Sequence, residues 1–245
     1  MREFALIGRH LPHSFSAKYF AAKFEREGIQ DAKYDLCEME TIAGVEQLLA
    51  RENLVGFNVT IPYKLEIIPY LSRLSPEAEA VGAVNCVSRE GGELVGYNTD
   101  VIGFRDSLVE FLDGEKIDRA LVLGGGGASL AVKYILSQLG VEYQQVSRKA
   151  SAEAIAYEDV NEALVGSHKL IVNATPLGTF PNVDSAPDIP YHLLDGSHYL
   201  YDLVYNPPCT KFLTLGRARG CKTCNGEQML TGQAEAAWRI WNRER

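Results

Sequence analysis

Positive charge is in short supply. Against 32 Asp and Glu stand 24 Lys and Arg, which leaves a formal net charge of −8 over 245 residues. A chain this acidic lacks the broad basic surface that nucleic acid or an acidic membrane requires, so an anionic ligand needs a local basic pocket instead. Long apolar runs are missing too: none approaches the ~20 residues of a membrane span. Met1-Arg2-Glu3 opens no signal-peptide apolar stretch. Cysteine is sparse, odd in number and scattered, at Cys37, Cys86, Cys209, Cys221 and Cys224, which suits a reducing cytoplasm. Cys221-x-x-Cys224 has no second pair or histidine beside it and reads as structural rather than as a zinc or redox site. No His/Cys/Asp cluster has metal-ligand spacing, so no metal is expected. Repeats, low-complexity tracts and flexible linkers are absent. What remains, 46% hydrophobic and 23% charged residues, is enough to build one large or two modest globular cores.

Periodicity and turn chemistry give the elements. Strands are expected at Phe4–Gly8, Lys33–Met39 and Leu54–Val59, with helices at Ser16–Glu27, Ile42–Arg51, Tyr63–Leu71 and Pro76–Val81 between and after them. Asn85–Arg89 and Glu93–Tyr97 form a hairpin about Gly91-Gly92, and Asp100–Leu112 is an amphipathic helix. A second unit then begins. Strands are expected at Arg119–Leu123, Glu142–Ser147, Lys169–Val172, Tyr199–Val204 and Lys222–Asn225, and helices at Ala128–Leu139, Thr210–Arg219 and Gln228–Trp241. A Pro/Asp-rich loop, 176–190, separates two of these buried strands.

Two tracts carry chemistry. Gly56-Phe57-Asn58-Val59-Thr60-Ile61-Pro62-Tyr63-Lys64 and Gly96-Tyr97-Asn98-Thr99-Asp100 each set polar side chains against an apolar run, where a purely structural strand needs none. Pro62 stops the first strand, so these groups gather at a strand end, where open α/β sheets place ligands. Lys64 and Asp100 offer a proton donor–acceptor pair. The structural alternative makes Asn58 and Thr60 helix caps and Lys64 and Asp100 a surface ion pair; it accounts for either tract alone better than for both together.

Gly124-Gly125-Gly126-Gly127-Ala128 sits after a strand and opens a helix. Side-chain-free positions there let backbone N–H groups approach a pyrophosphate at a helix N-terminus. Ser129 occupies the place of the third glycine of the usual fingerprint. The end of the next strand reads Val146-Ser147-Arg148-Lys149, without the Asp or Glu that would hold a free ribose 2′-hydroxyl. Two cations in place of that carboxylate favour NADP over NAD, since guanidinium grips phosphate well.

These tracts in this order resemble the shikimate dehydrogenase family, within the shikimate/quinate dehydrogenases, over nearly the whole chain. The resemblance rests on Gly8-x-x-x-x-His13-Ser14-Phe15-Ser16, the Asn58/Thr60/Lys64 tract, Gly82-Ala83-Val84-Asn85 and Asn98-Thr99-Asp100. It continues through Asn173-Ala174-Thr175-Pro176-Leu177-Gly178, Tyr201-Asp202-Leu203-Val204-Tyr205-Asn206-Pro207 and Gly226-Glu227-Gln228-Met229-Leu230-x-x-Gln233-Ala234. Phe15, Ala17 and Leu130 depart from the family pattern. The implied fold class is α/β in two domains. An N-terminal α/β substrate domain spans residues 1–100, with 226–245 returning to it, and a Rossmann-type cofactor domain spans 101–225. The active site is then the cleft, with closure over ligands.

The implied reaction is NADPH-dependent reduction of 3-dehydroshikimate to shikimate in aromatic amino acid biosynthesis, with NADP as cofactor. By resemblance, Lys64 moves the proton, and Asp100 bonds the substrate hydroxyl and orients the lysine. Ser14, Ser16, Thr60 and Tyr205 hold the carboxylate, while Asn58, Asn85 and Gln233 read ring hydroxyls. Gly124 to Gly127, Ala128, Ser147, Arg148, Lys149, Asn173, Thr175, Leu203 and Gly226 form the cofactor side. Several of these residues have structural readings as well: Ser16 as a helix N-cap, Asn85 as a turn residue, Tyr205 as core. His13 reads as loop packing, and Trp238 and Trp241 as packing on the last helix. Two alternatives stand beside this reading. One is a quinate/shikimate enzyme using NAD, with discrimination near Ser14 and Ser16. The other is a non-catalytic regulatory relative that binds NADP and shikimate. The expected partner is a small molecule, with neither nucleic acid nor membrane, and the chain is expected in the cytoplasm as a monomer or homodimer.

Overall fold

A computed structural model describes residues 1–11 and 14–243, and His13 of the expected serine loop lies outside them. The chain divides into two compact units, Met1–Thr99 with Gln233–Arg245, and Asp100–Gly232.

In the first unit, β1 (Arg2–Gly8), β2 (Ala32–Glu38), β3 (Leu54–Val59), β4 (Arg73–Leu74), β5 (Cys86–Glu90) and β6 (Glu93–Tyr97) form one sheet in the order β2-β1-β3-β5-β6-β4. β1 runs parallel to both β2 and β3. Parallel neighbours need crossovers, and α1 (Phe15–Arg26) and α2 (Val45–Leu49) supply them. β5 pairs antiparallel with β3 and with β6, and Gly91 and Gly92 close that hairpin at positive φ. Before β5, α3 (Pro76–Val81) carries its own punctuation. The Ser75 hydroxyl accepts from Ala78 N–H, Pro76 opens the first turn, and Gly82 closes the helix at φ +70.

Successive strand residues face opposite sides of the sheet, so two cores form. Ala5, Ile7, Phe57, Val59 and Val87 pack on one face, and Phe4, Phe20, Cys86, Ala237 and Trp241 on the other. Gly56 has a packing reason. A Cβ there would strike the Trp241 indole and the Val87 carbonyl oxygen, and its absence lets Trp241 Nε1 donate to that oxygen at 3.0 Å.

In the second unit, α4 (Asp100–Leu112) leads into β7 (Arg119–Leu123), α5 (Gly127–Gln138), β8 (Glu142–Ser147), β9 (Ala154–Ala156), α6 (Glu162–Ser167) and β10 (Leu170–Asn173). β11 (Tyr199–Asp202), α7 (Lys211–Arg217) and β12 (Lys222–Cys224) follow, and α8 (Glu227–Trp241) begins in this unit and belongs to the first from Gln233 on. The strands make an all-parallel sheet in the order β12-β11-β10-β7-β8-β9. β10 and β11 are buried at every position, as a sheet covered on both faces requires. The order reverses between β7 and β10, which is where doubly wound sheets open a ligand crevice at their carboxyl ends.

Some expectations need correction. The helix expected at Tyr63–Leu71 is a series of turns ending in one 3₁₀ turn, Ile68–Tyr70. Pro69 has no N–H to donate, and the Lys64 carbonyl accepts from Val84 N–H at 2.8 Å instead of from a helical partner. The Ile42–Arg51 helix is shorter, a 3₁₀ turn followed by α2. β4, β9 and α6 were not expected. No helix of the described residues is long and apolar enough to cross a membrane.

Candidate active site

The first unit gathers most of the expected substrate residues at the carboxyl ends of β1 and β3. Thr60 leaves β3 with its N–H on the Ile7 carbonyl at 2.9 Å, and its own carbonyl accepts from Tyr63 N–H at 3.0 Å. Lys64 follows, half-buried and anchored through its carbonyl on Val84. Asn85, just before β5, is the hub. Its carbonyl accepts from Val59 N–H at 2.9 Å and from Asn58 Nδ2 at 3.2 Å. Its side-chain Oδ1 accepts from Thr99 N–H at 2.6 Å and from the Thr99 hydroxyl at 3.2 Å. That hydroxyl also lies 3.5 Å from Gln233 Oε1. All four side chains are buried, with Asn58 and Asn85 each only 4% exposed.

Backbone chemistry fixes how these amides point. A backbone N–H only donates, so Asn85 turns Oδ1 to Thr99 and its Nδ2 the other way. A carbonyl only accepts, so Asn58 turns Nδ2 to Asn85 and presents Oδ1 to the Tyr34 hydroxyl, which donates at 2.7 Å. Sequence reading missed Tyr34, because an aromatic residue on a strand carries no signal beyond β-propensity. Thr99 lies in the Asn98-Thr99-Asp100 motif, but a threonine beside a carboxylate carries no signal of its own in the sequence.

Ser14 and Ser16 flank the start of α1. The cap is Ser14, whose Oγ accepts from Ala17 N–H at 3.4 Å, which corrects the structural reading of Ser16 as cap. Ser16 sits inside the first turn of α1.

The second unit holds the glycine turn. Gly124 has φ +105, and a Cβ there would lie 2.9 Å from Thr175 Cγ2. Gly126 is the N-cap of α5 and brings no side-chain cap; its carbonyl takes Ser129 N–H at 2.9 Å, and the Gly127 and Ala128 N–H groups stand ahead of that bond at the helix start, where an anion binds. Ser129 fits the third-glycine position because its hydroxyl folds back to donate to the Gly126 carbonyl at 2.6 Å. At the end of β8, Ser147 donates to the Lys149 carbonyl and shapes the turn, leaving Arg148 and Lys149 exposed. Arg148 also lines a cavity of about 660 Å³ with Tyr157, Asp188 and Tyr191.

Asn173 and Thr175 are engaged with each other. Asn173 Oδ1 accepts from the Thr175 hydroxyl at 2.6 Å and its N–H at 3.0 Å, while Asn173 Nδ2 donates to Asp202 Oδ1 at 2.9 Å. Asp202, at the end of β11, also accepts from Val204 N–H at 3.0 Å and from the Thr210 hydroxyl at 2.5 Å. Burial pushes this carboxyl up to about 6, with the three hydrogen bonds opposing the rise. The loop therefore owes its shape to Asp202, for which sequence reading had no role. Leu203 N–H donates to the Asn173 carbonyl at 3.0 Å. Gly226 is demanded by close approach, since a Cβ would run into the Leu203 backbone. Tyr205, also in this unit, is half-buried, and burial raises its phenol. Asp100 is buried in the first turn of α4.

The donor set fits a dinucleotide. The Gly124 approach that admits no Cβ, the uncapped α5 N-terminus and the exposed Arg148–Lys149 pair supply a pyrophosphate seat and a cation for a 2′-phosphate. Among the described residues no group of three or more His, Cys, Asp and Glu could hold a metal ion.

A parallel doubly wound sheet with this turn, in a chain that also carries a smaller mixed α/β unit, defines a Rossmann-type nicotinamide oxidoreductase. The model of the shikimate dehydrogenase substrate binding domain matches residues 6–87. Shikimate dehydrogenase (NADP(+)) of Caldicellulosiruptor saccharolyticus is 34% identical over 98% of this chain and 92% of that protein. The crystal structure of the Thermus thermophilus shikimate 5-dehydrogenase in complex with NADP(H) and shikimate superimposes with TM-score 0.84 at 32% identity, covering 99% of this chain and 94% of that one. Quinate dehydrogenase from Corynebacterium glutamicum in complex with NAD gives 0.88 at 28% identity, covering 99% and 94%. The chain belongs to the shikimate dehydrogenase family.

Proposed function

We propose that this chain catalyses the reversible, NADP-dependent interconversion of 3-dehydroshikimate and shikimate, a step of aromatic amino acid biosynthesis in the cytoplasm. The observation that carries the reading is the buried amide and hydroxyl set of Asn58, Asn85, Thr99 and Gln233, in the unit that contains the family-model match. NADP, when bound, supplies the hydride chemistry. Lys64 gives a proton to the substrate oxygen during reduction and takes it back during oxidation. Asp100 accepts a hydrogen bond from the substrate hydroxyl from its place in the first turn of α4. Ser14, Ser16, Thr60 and Tyr205 hold the carboxylate, and Asn58, Asn85 and Gln233 read ring hydroxyls. Neutral amides and hydroxyls suit a polyhydroxylated ring because they bind it without burying another charge. Gly124 to Ala128 take the pyrophosphate, Arg148 and Lys149 with Ser147 take the 2′-phosphate, and Asn173, Thr175, Leu203 and Gly226 shape the cofactor side.

Steady-state nicotinamide absorbance with shikimate and with quinate, each with NADP and with NAD, tests the reading. Shikimate with NADP is expected to give the highest kcat/KM. A higher value for quinate with NAD reassigns the substrate, and binding of both ligands without turnover makes the chain a regulatory relative.

A further inference from the structure

We infer that Tyr34, outside the substrate set drawn from the sequence, is a positioning residue that ties the helix carrying Ser16 to the strand end carrying Asn58, its ring stacked on the one and its hydroxyl donating to the other. The inference rests on the shikimate reading above. Its direction is dictated by the backbone. The Asn85 carbonyl accepts from Asn58 Nδ2 at 3.2 Å, which forces Asn58 Oδ1 to face the other way. Tyr34 Oη lies 2.7 Å from that oxygen and must be the donor. The phenol has a single proton, and the Asn58 oxygen takes it.

The ring is held as firmly as the hydroxyl. It stacks on Phe20 with centroids 4.5 Å apart and planes at 20°, and it packs at 6.4 Å from Trp241. Phe20 stands four residues beyond Ser16 on α1, on the same helical face. Tyr34 thus packs against the helix that carries Ser16 and donates to the strand end that carries Asn58. Burial holds the phenol well above the usual tyrosine range, so it stays a proton donor throughout the working pH range.

Without the hydroxyl, Asn58 Oδ1 is left as a buried acceptor without its donor, and the amide keeps the 3.2 Å contact of Nδ2 with the Asn85 carbonyl as its anchor, so the outward N–H that the ligand hydroxyl requires is held less firmly. Tyr34→Phe keeps the aromatic packing and deletes only that contact. We expect the shikimate KM, and the shikimate Kd by calorimetry, to rise about tenfold, the usual scale of one buried hydrogen bond. The NADP KM should stay within about twofold and kcat within about threefold. An unchanged shikimate Kd, or equal weakening of both ligands, overturns the inference. In the wild-type chain the Asn58 side-chain amide protons should be protected from exchange in NMR spectra, and a rapidly exchanging, averaged pair overturns it without any variant. Absence of wild-type turnover with shikimate defeats the functional reading instead, so the two failures are separable.

Discussion

The Asn173 carboxamide and the Asp202 carboxylate meet at 2.9 Å, and both side chains are fully buried. Because Asp202 Oδ1 also accepts from Val204 N–H, one oxygen organises two turns. The other faces the Thr210 hydroxyl, which can either donate or accept. A proton can therefore be placed on the Thr210 side without breaking the Asn173 contact.

Asp202→Asn can reproduce that arrangement, with its oxygen toward Asn173 and its amine toward Thr210, whereas Asp202→Leu cannot. We expect NADP binding, measured at equilibrium, to weaken less than about threefold in the first and about tenfold or more in the second. Shikimate binding should be unaltered in both. Equal effects of the two substitutions would show that the loop does not depend on the carboxylate.

Acid should favour the folded wild type relative to Asp202→Asn. The folded-state value, about 6, lies above the ordinary 3.8, so the folded protein binds this proton more tightly than the unfolded chain. That contribution is fully present below about pH 4 and is lost as pH rises through about 6. Its size is about 3 kcal/mol. Urea melts of both proteins at pH 4 and pH 7 should show the wild-type advantage shrinking by roughly that amount, and a pH-independent difference refutes the account.

Lys64→Ala should lower kcat by about 10² to 10⁴, the usual share of a positioned acid–base group. NADP binding should be nearly intact, since the lysine belongs to the first unit and the glycine turn to the second. Turnover near the wild-type value would remove Lys64 from the reaction.

Arg148→Ala should weaken NADPH by about ten- to a hundredfold and NADH by less than about threefold, because only the former carries the phosphate that a guanidinium grips. Comparison of the two dissociation constants decides it: parallel losses mean that the arginine does not read the 2′-phosphate.

Gly56→Ala should destabilise the protein by about 1–3 kcal/mol or more, as overpacking does. The added methyl meets the Trp241 indole and the Val87 carbonyl, and both belong to the same hydrogen bond. Thermal melting is the measurement, and a melting point equal to wild type would show that the contact relaxes without cost.

Local signals carried much of this in the sequence. The run at β3, the hairpin glycines and the strand–turn–helix at Gly124 are all stated by short stretches of chain, and the structure keeps them. The features that failed to show depend on distant partners. β4 has two residues and exists only because β6 lies beside it. The segment after Pro62 has helical periodicity, yet Val84 takes the carbonyl at Lys64. Tyr34 and Asp202 look like an ordinary strand aromatic and an ordinary strand-end acid until their partners, 24 and 29 residues away, are in place.

The orientation of Asn58 and Asn85 has a chemical corollary. Each carboxamide has turned its oxygen inward, to Tyr34 and to Thr99. What such a lining offers a visitor is mainly protons, so it welcomes atoms rich in lone pairs. An ammonium group in place of a ring alcohol that Asn58 and Asn85 read would bring hydrogen against hydrogen, and analogues aminated at those positions should be turned away even where their size and shape are right.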